Sequence, residues 1–86
     1  MLGSETPGQS NLPELLFSFF IERTKTFWHC ELWDRGADGI EAQFLDPTEL
    51  RFARTFLPHW NARRTPREMA IEWATNARRL LQNEAT

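Results

Sequence analysis

Eighty-six residues with seven Phe, four Trp, no Tyr and one cysteine exclude a multidomain enzyme and an internal disulfide. A chain this size buries only about 60–65% of its unfolded surface, so the aromatic residues must build an efficient core. The net charge of −2 conceals an asymmetry: residues 1–46 carry three basic groups against eight acidic ones, and residues 47–86 carry seven arginines against four glutamates. Either the halves neutralise each other in the fold, or the arginines form a face for an anion or acidic partner. The single Cys30 fits a reducing, cytoplasmic compartment.

The chain opens on a stretch rich in Gly, Ser, Thr and Pro with little to bury, so residues 1–13 are expected to be a disordered leader. The apolar run Leu15–Ile21 lacks a basic segment before it and is too short to span a bilayer. Phe17 to Arg23 reads as a first strand, with Phe17, Phe19 and Ile21 alternating with Ser18, Phe20 and Glu22. After the short connection Thr24-Lys25, Thr26 to Asp34 reads as a second strand. Trp28, Cys30 and Leu32 share one of its faces; Phe27, His29, Glu31 and Trp33 share the other.

The turn Arg35–Gly39 holds two glycines that permit positive φ. Ile40, Ala42 and Phe44 then alternate with Glu41, Gln43 and Leu45 in a third strand. Residues 46–57 pull two ways. Asp46-Pro47-Thr48-Glu49 has helix-capping spacing, yet it is also good turn material, and Leu50, Phe52, Arg54 and Phe56 alternate. The spacing favours a fourth strand, Leu50–Phe56. Residues 58–64 read as a loop holding His59, Trp60, Arg63 and Arg64.

Thr65 to Leu81 carries a complete helix-start signal: Thr65 to cap, Pro66 at the first helical position, and Glu68 three residues after the cap. Ala70, Trp73, Ala74, Ala77, Leu80 and Leu81 make an apolar stripe with Trp73 at its centre, and Arg67, Glu72, Thr75, Asn76, Arg78 and Gln82 fall mostly opposite. Residues 83–86 are expected to fray. The chain is thus expected to be one α+β domain over residues 14–82. It is an antiparallel meander of three or four strands packed by a single C-terminal amphipathic helix.

Few residues have the spacing of reaction chemistry. His29 and Cys30 are adjacent, but on a strand they point to opposite faces, so Cys30 reads as a small buried hydrophobe. His29 and Glu31 share a face, short of the converging ligand set that a metal needs. There is no phosphate loop, serine elbow or paired-carboxylate motif. No enzyme activity, cofactor or metal is therefore expected.

The second sheet face, with Phe27, Trp33, Phe20 and Leu45, has more apolar area than a bare sheet tolerates. Three covers are open: the leader with the Trp60 loop, a protein partner (most simply a second copy), or bases or a ligand stacked on the rings.

Two segments carry likenesses to known families. Arg54-Thr55-Phe56 followed by the capped helix with Ala70 and Trp73-Ala74 resembles the Arm-type DNA-binding domains of tyrosine recombinases, which lay a three-stranded sheet in the major groove. The same order resembles HicB-like antitoxin domains. Cys30-Glu31-Leu32 with Gly39-Ile40-Glu41-Ala42-Gln43-Phe44 is similar to short uncharacterised bacterial proteins and brings no activity with it. The first likeness implies a DNA-binding edge at Arg51, Arg54, Arg63, Arg64 and Arg67. Glu31 and Glu41 on the outward face, and an acidic chain overall, argue against that footprint. The expectation is a non-enzymatic interaction module that self-associates, with Phe27, Trp33 and Trp60 as anchors and Arg51, Arg63 and Arg64 as rim charges. A DNA-binding or regulatory domain using the arginine edge is the alternative.

Overall fold

The computed structural model describes residues 12–58 and 63–84. Four strands, β1 (Glu14–Ile21), β2 (Thr26–Asp34), β3 (Ile40–Leu45) and β4 (Leu50–Phe56), precede one helix, α1 (Pro66–Glu84). The strands pair in sequence order as an antiparallel meander, and α1 covers one face, packing against β1, β3 and β4. Because residues 46–57 satisfy both a capping and an alternating pattern, their outcome is informative. Asp46 caps a turn instead of a helix. Its Oδ1 accepts from the Thr48 and Glu49 N–H groups at 2.8 and 2.9 Å, and the Asp46 N–H donates to the Glu49 carbonyl. Strand alternation takes over at Leu50.

The core is the set of side chains that the period-2 pattern sends inward. Phe19, Ile21, Cys30, Leu32, Ala42, Phe44 and Phe56 are buried from the sheet, and Ala70 and Ala74 from the helix. Two fully buried alanines let α1 approach closely. Phe44 then fills the centre, stacked on Phe52 at 4.8 Å and edge-on to Trp73 at 5.7 Å. Each such aromatic side chain contributes about 1.5–3 kcal/mol by leaving water.

Three expectations are corrected by this packing. β1 starts at Glu14, not Phe17, because the run Leu15-Leu16-Phe17 contains a bulge: Leu15 pairs with Glu31 and Phe17 with Cys30, leaving Leu16 extra. Both Leu16 and Phe17 therefore pack on the core. In α1, the centre of the stripe is Ala70, Ala74, Ala77 and Leu81, and Trp73 sits on the β4 flank against Phe52 and Phe56. Leu80 is 61% exposed, while Met69 and Ile71 pack on the core in its place. Two of the arginines expected to face water close the β1 flank: Arg78 lies 4.7 Å over the Phe17 ring, and Arg67 Nη2 donates to Glu14 Oε2 at 2.8 Å.

The helix start is as the spacing predicts. The Glu68 N–H donates to Thr65 Oγ1 and the Thr65 N–H to Glu68 Oε1, each at 3.0 Å. The helix continues past Leu81 to Glu84, so Asn83 is helical. The expected leader (residues 1–11 of it), His59, Trp60 and the last two residues lie outside the described residues. No described helix is long and apolar enough to cross a membrane.

Candidate functional site

The sheet face opposite α1 holds every second residue of the strands. Along β2 these are Phe27, His29, Glu31 and Trp33. Their partners across the ladder are Phe20, Ser18 and Leu15 on β1, and Leu45, Gln43 and Glu41 on β3. Among the described residues, no element packs over this face. Phe27 is 64% exposed, Leu15 61% and Phe20 37%. Phe20 and Phe27 face each other across the strands, edge to face, with ring centroids 5.0 Å apart. That cross-strand pair orders two large rings and leaves most of Phe27, and a smaller part of Phe20, open to water.

The other end of the same face is polar and internally satisfied. Glu31 uses both carboxylate oxygens: Oε2 lies 3.0 Å from His29 Nε2, and Oε1 accepts from Trp33 Nε1 at 3.2 Å. An ionised carboxylate only accepts, so this geometry holds a proton on His29 Nε2. Glu41 accepts from Arg35 and from Gln43 Nε2, and the Arg35 guanidinium lies 5.2 Å over the Trp33 ring. Spacing alone pointed to His29, Glu31 and Trp33 sharing a face. It did not reveal Arg35, which follows the strand and reaches back over Trp33. The signal for it was the turn, whose glycines fold the chain sharply enough for Arg35 to meet Glu41.

The expected site residues are only partly brought together. Phe27 and Trp33 share the open face. Trp60 lies outside the described residues. Arg51 is not at their rim. It is the extra residue of a second bulge, with Leu45 paired to Leu50 and Phe44 to Phe52. Its guanidinium turns to the helix side, 6.0 Å over Trp28. There it donates to Asp46 Oδ2 at 2.6 Å and pairs with Glu49 at 3.0 Å. Arg64 pairs with Glu72 of α1, and Arg63 and Arg64 line a shallow depression beside Ile71 in the helix layer. Arg51 and Arg64 therefore lie on a different side of the domain from Phe27 and Trp33.

Comparison with known protein families, with curated proteins and with solved structures finds no match.

Cys30 is fully buried on the core face, behind the strand from His29. Burial pushes its thiol up to about 12, with the Glu31 charge adding to the effect, so no thiolate stands ready at neutral pH. Among the described residues, no three His, Cys, Asp or Glu side chains converge as metal ligands would. A cleft of about 380 Å³ at one end of the domain has Leu32 and Ile40 in its lining. Of the charges lining it, Glu14 and Arg67 pair with each other, and Asp34 accepts from the Gly36 N–H at 2.9 Å.

Proposed function

We propose that this chain is a non-enzymatic interaction module that associates with a second copy of itself through the open sheet face. The observation that carries the reading is the Phe20–Phe27 pair: two rings in contact at 5.0 Å, one of them 64% exposed, on a face that no described element covers. Paired aromatics of this exposure are typical interface anchors.

A second copy is the favoured occupant for two reasons. The face carries both signs of charge in the Glu41–Arg35 pair, and a second such pair at Glu31 whenever His29 is protonated, so it can complement itself; a face of one sign would repel its copy. The sheet edges are poor alternatives. β1 and β4 each carry a bulge, and β4 adds Arg51 and Arg54, features that discourage edge-to-edge pairing. Strands about 4.8 Å apart and about 25 Å long give each face roughly 500 Å². Two copies then bury on the order of 1,000 Å² in total, the lower limit for a specific interface. The association is accordingly reversible and concentration-dependent.

The arginine-edge reading, with nucleic acid as the partner, draws no comparable support, because Arg51, Arg64 and Arg67 are each engaged by carboxylates. We assign the module to the cytoplasm on the strength of its one cysteine, a buried free thiol.

Light scattering behind a sizing column tests the proposal. The wild type should shift from monomer toward dimer mass as concentration rises, and Phe27→Glu should stay a folded monomer throughout. A wild type that is monomeric at several hundred micromolar, or a variant that dimerises as the wild type does, would overturn it.

A further inference from the structure

We infer that protonation of His29 controls this association, so that the homodimer tightens as pH falls through the histidine range. The inference rests on the self-association reading above. The groups facing His29 are few. Ser18 lies across on β1 and Leu45 across on β3, with Phe27 and Glu31 on its own strand. Helix α1 covers the other face. The remaining charges on the open face are Glu41 and Arg35, which pair with each other. Glu22 and Lys25, at the turn beyond Phe27, also pair, at 2.5 Å.

Charge on the closing face therefore depends on one proton. Glu41 has a permanent cation in Arg35. Glu31 accepts from an indole and an imidazole, so its counter-charge exists only while His29 is protonated. With His29 neutral, each face carries one uncompensated negative charge; with His29 charged, it carries none.

In the monomer, water screens Glu31, whose side chain keeps 21% of its exposure. In a face-to-face dimer the sheets lie about 10 Å apart. Water is then largely expelled, and the uncompensated carboxylate of each face is left in a medium that screens it poorly. The dimer thus holds the His29 proton more firmly than the monomer does. The sign follows from linkage: the state that binds more protons gains as pH falls.

Sedimentation equilibrium at about pH 8 and about pH 5.5 tests this, since histidine changes charge between those values. The wild-type dimer should bind about tenfold tighter at the lower pH, as uptake of less than one proton per protomer gives. His29→Gln, which keeps a donor toward Glu31 without a titratable charge, should flatten the dependence. Glu31→Gln should dimerise at the higher pH about as tightly as wild type does at the lower. His59→Gln, changing the other histidine of the sequence, should behave as wild type.

Equal dimer affinity at both pH values would overturn the inference while leaving self-association standing. A monomer at both would overturn both readings. Dependence that survives in His29→Gln, or vanishes in His59→Gln, would overturn the assignment to His29.

Discussion

Gly39 lies against the backbone of Phe56 so closely that a methyl group on its Cα would come within 2.2 Å of the Phe56 carbonyl oxygen. Its φ of +95° with ψ of −162° is a conformation that side chains rarely adopt. Two independent penalties therefore meet at one residue. Gly39→Ala should cost about 2–4 kcal/mol, from backbone strain plus displacement of the β4 end. Gly36, at φ +64°, is in the ordinary left-handed region, and Gly36→Ala should cost only about 1–2 kcal/mol. Urea unfolding of both variants checks the ranking, and equal losses would mean that the Phe56 contact is not rigid.

Trp73 and Leu80 lie on the same flank of α1 but have different partners. Trp73 meets Phe44, Phe52 and Phe56 with ring centroids 5.7 to 6.0 Å away. Trp73→Ala should cost about 3–5 kcal/mol, enough to unfold much of the population of so small a domain. Leu80→Ala should stay within about 0.5 kcal/mol, as an exposed substitution does. Thermal melts distinguish the two, and a matching loss for Leu80 would place it in the core.

How much of this was legible follows from which forces act locally. The four strands and the helix were readable because alternation, turn residues and the Thr65–Glu68 capping box all reside in neighbouring residues. Leu80 was misread because a helical wheel gives an angle and not the extent of the sheet beneath it. The bulges at Leu16 and Arg51 were hidden because either register looks acceptable on a single strand; only pairing with the neighbouring strand reveals the extra residue. Arg51 shows the consequence for the site. One inserted residue moved it from the expected rim to the opposite side of the sheet. The aromatic half of the candidate face was legible from period-2 spacing alone, whereas the Arg35–Glu41 half depends on a chain reversal.

Cys30 offers a probe of the core that needs no substitution. Its thiol is fully buried and held near 12 by burial first and by the Glu31 charge second. An aromatic disulfide reagent at neutral pH should leave native protein unlabelled and titrate one thiol per chain once urea unfolds it. Labelling then reports the opening equilibrium. Cys30→Ala should cost less than Cys30→Ser, since a hydroxyl there adds a desolvation cost of about 1–3 kcal/mol where it finds no partner. Rapid labelling of folded protein would show that β2 is open to solvent.

Asp46 should make the β3–β4 turn sensitive to acid. Its carboxyl is held well below the ordinary range, chiefly by the Thr48 N–H and next by the Glu49 N–H. Desolvation opposes them in part, and the Thr48 hydroxyl and Arg51 lower it further by smaller amounts. The direction fixes the sign. A carboxyl depressed in the folded state contributes stability that is complete above its unfolded value of about 3.9 and is lost as pH falls toward the folded one. Asp46→Asn keeps an acceptor for the turn but discards the charge, so it should melt below wild type at neutral pH. The gap should narrow from about pH 4 downward, as wild-type Asp46 takes up its proton. Melting temperatures of the pair from about pH 6 to about pH 2 give the comparison. A gap that stays constant across that range would mean that hydrogen-bond geometry, not charge, holds the turn. A wild type and variant that melt together at neutral pH would mean that neither matters at Asp46.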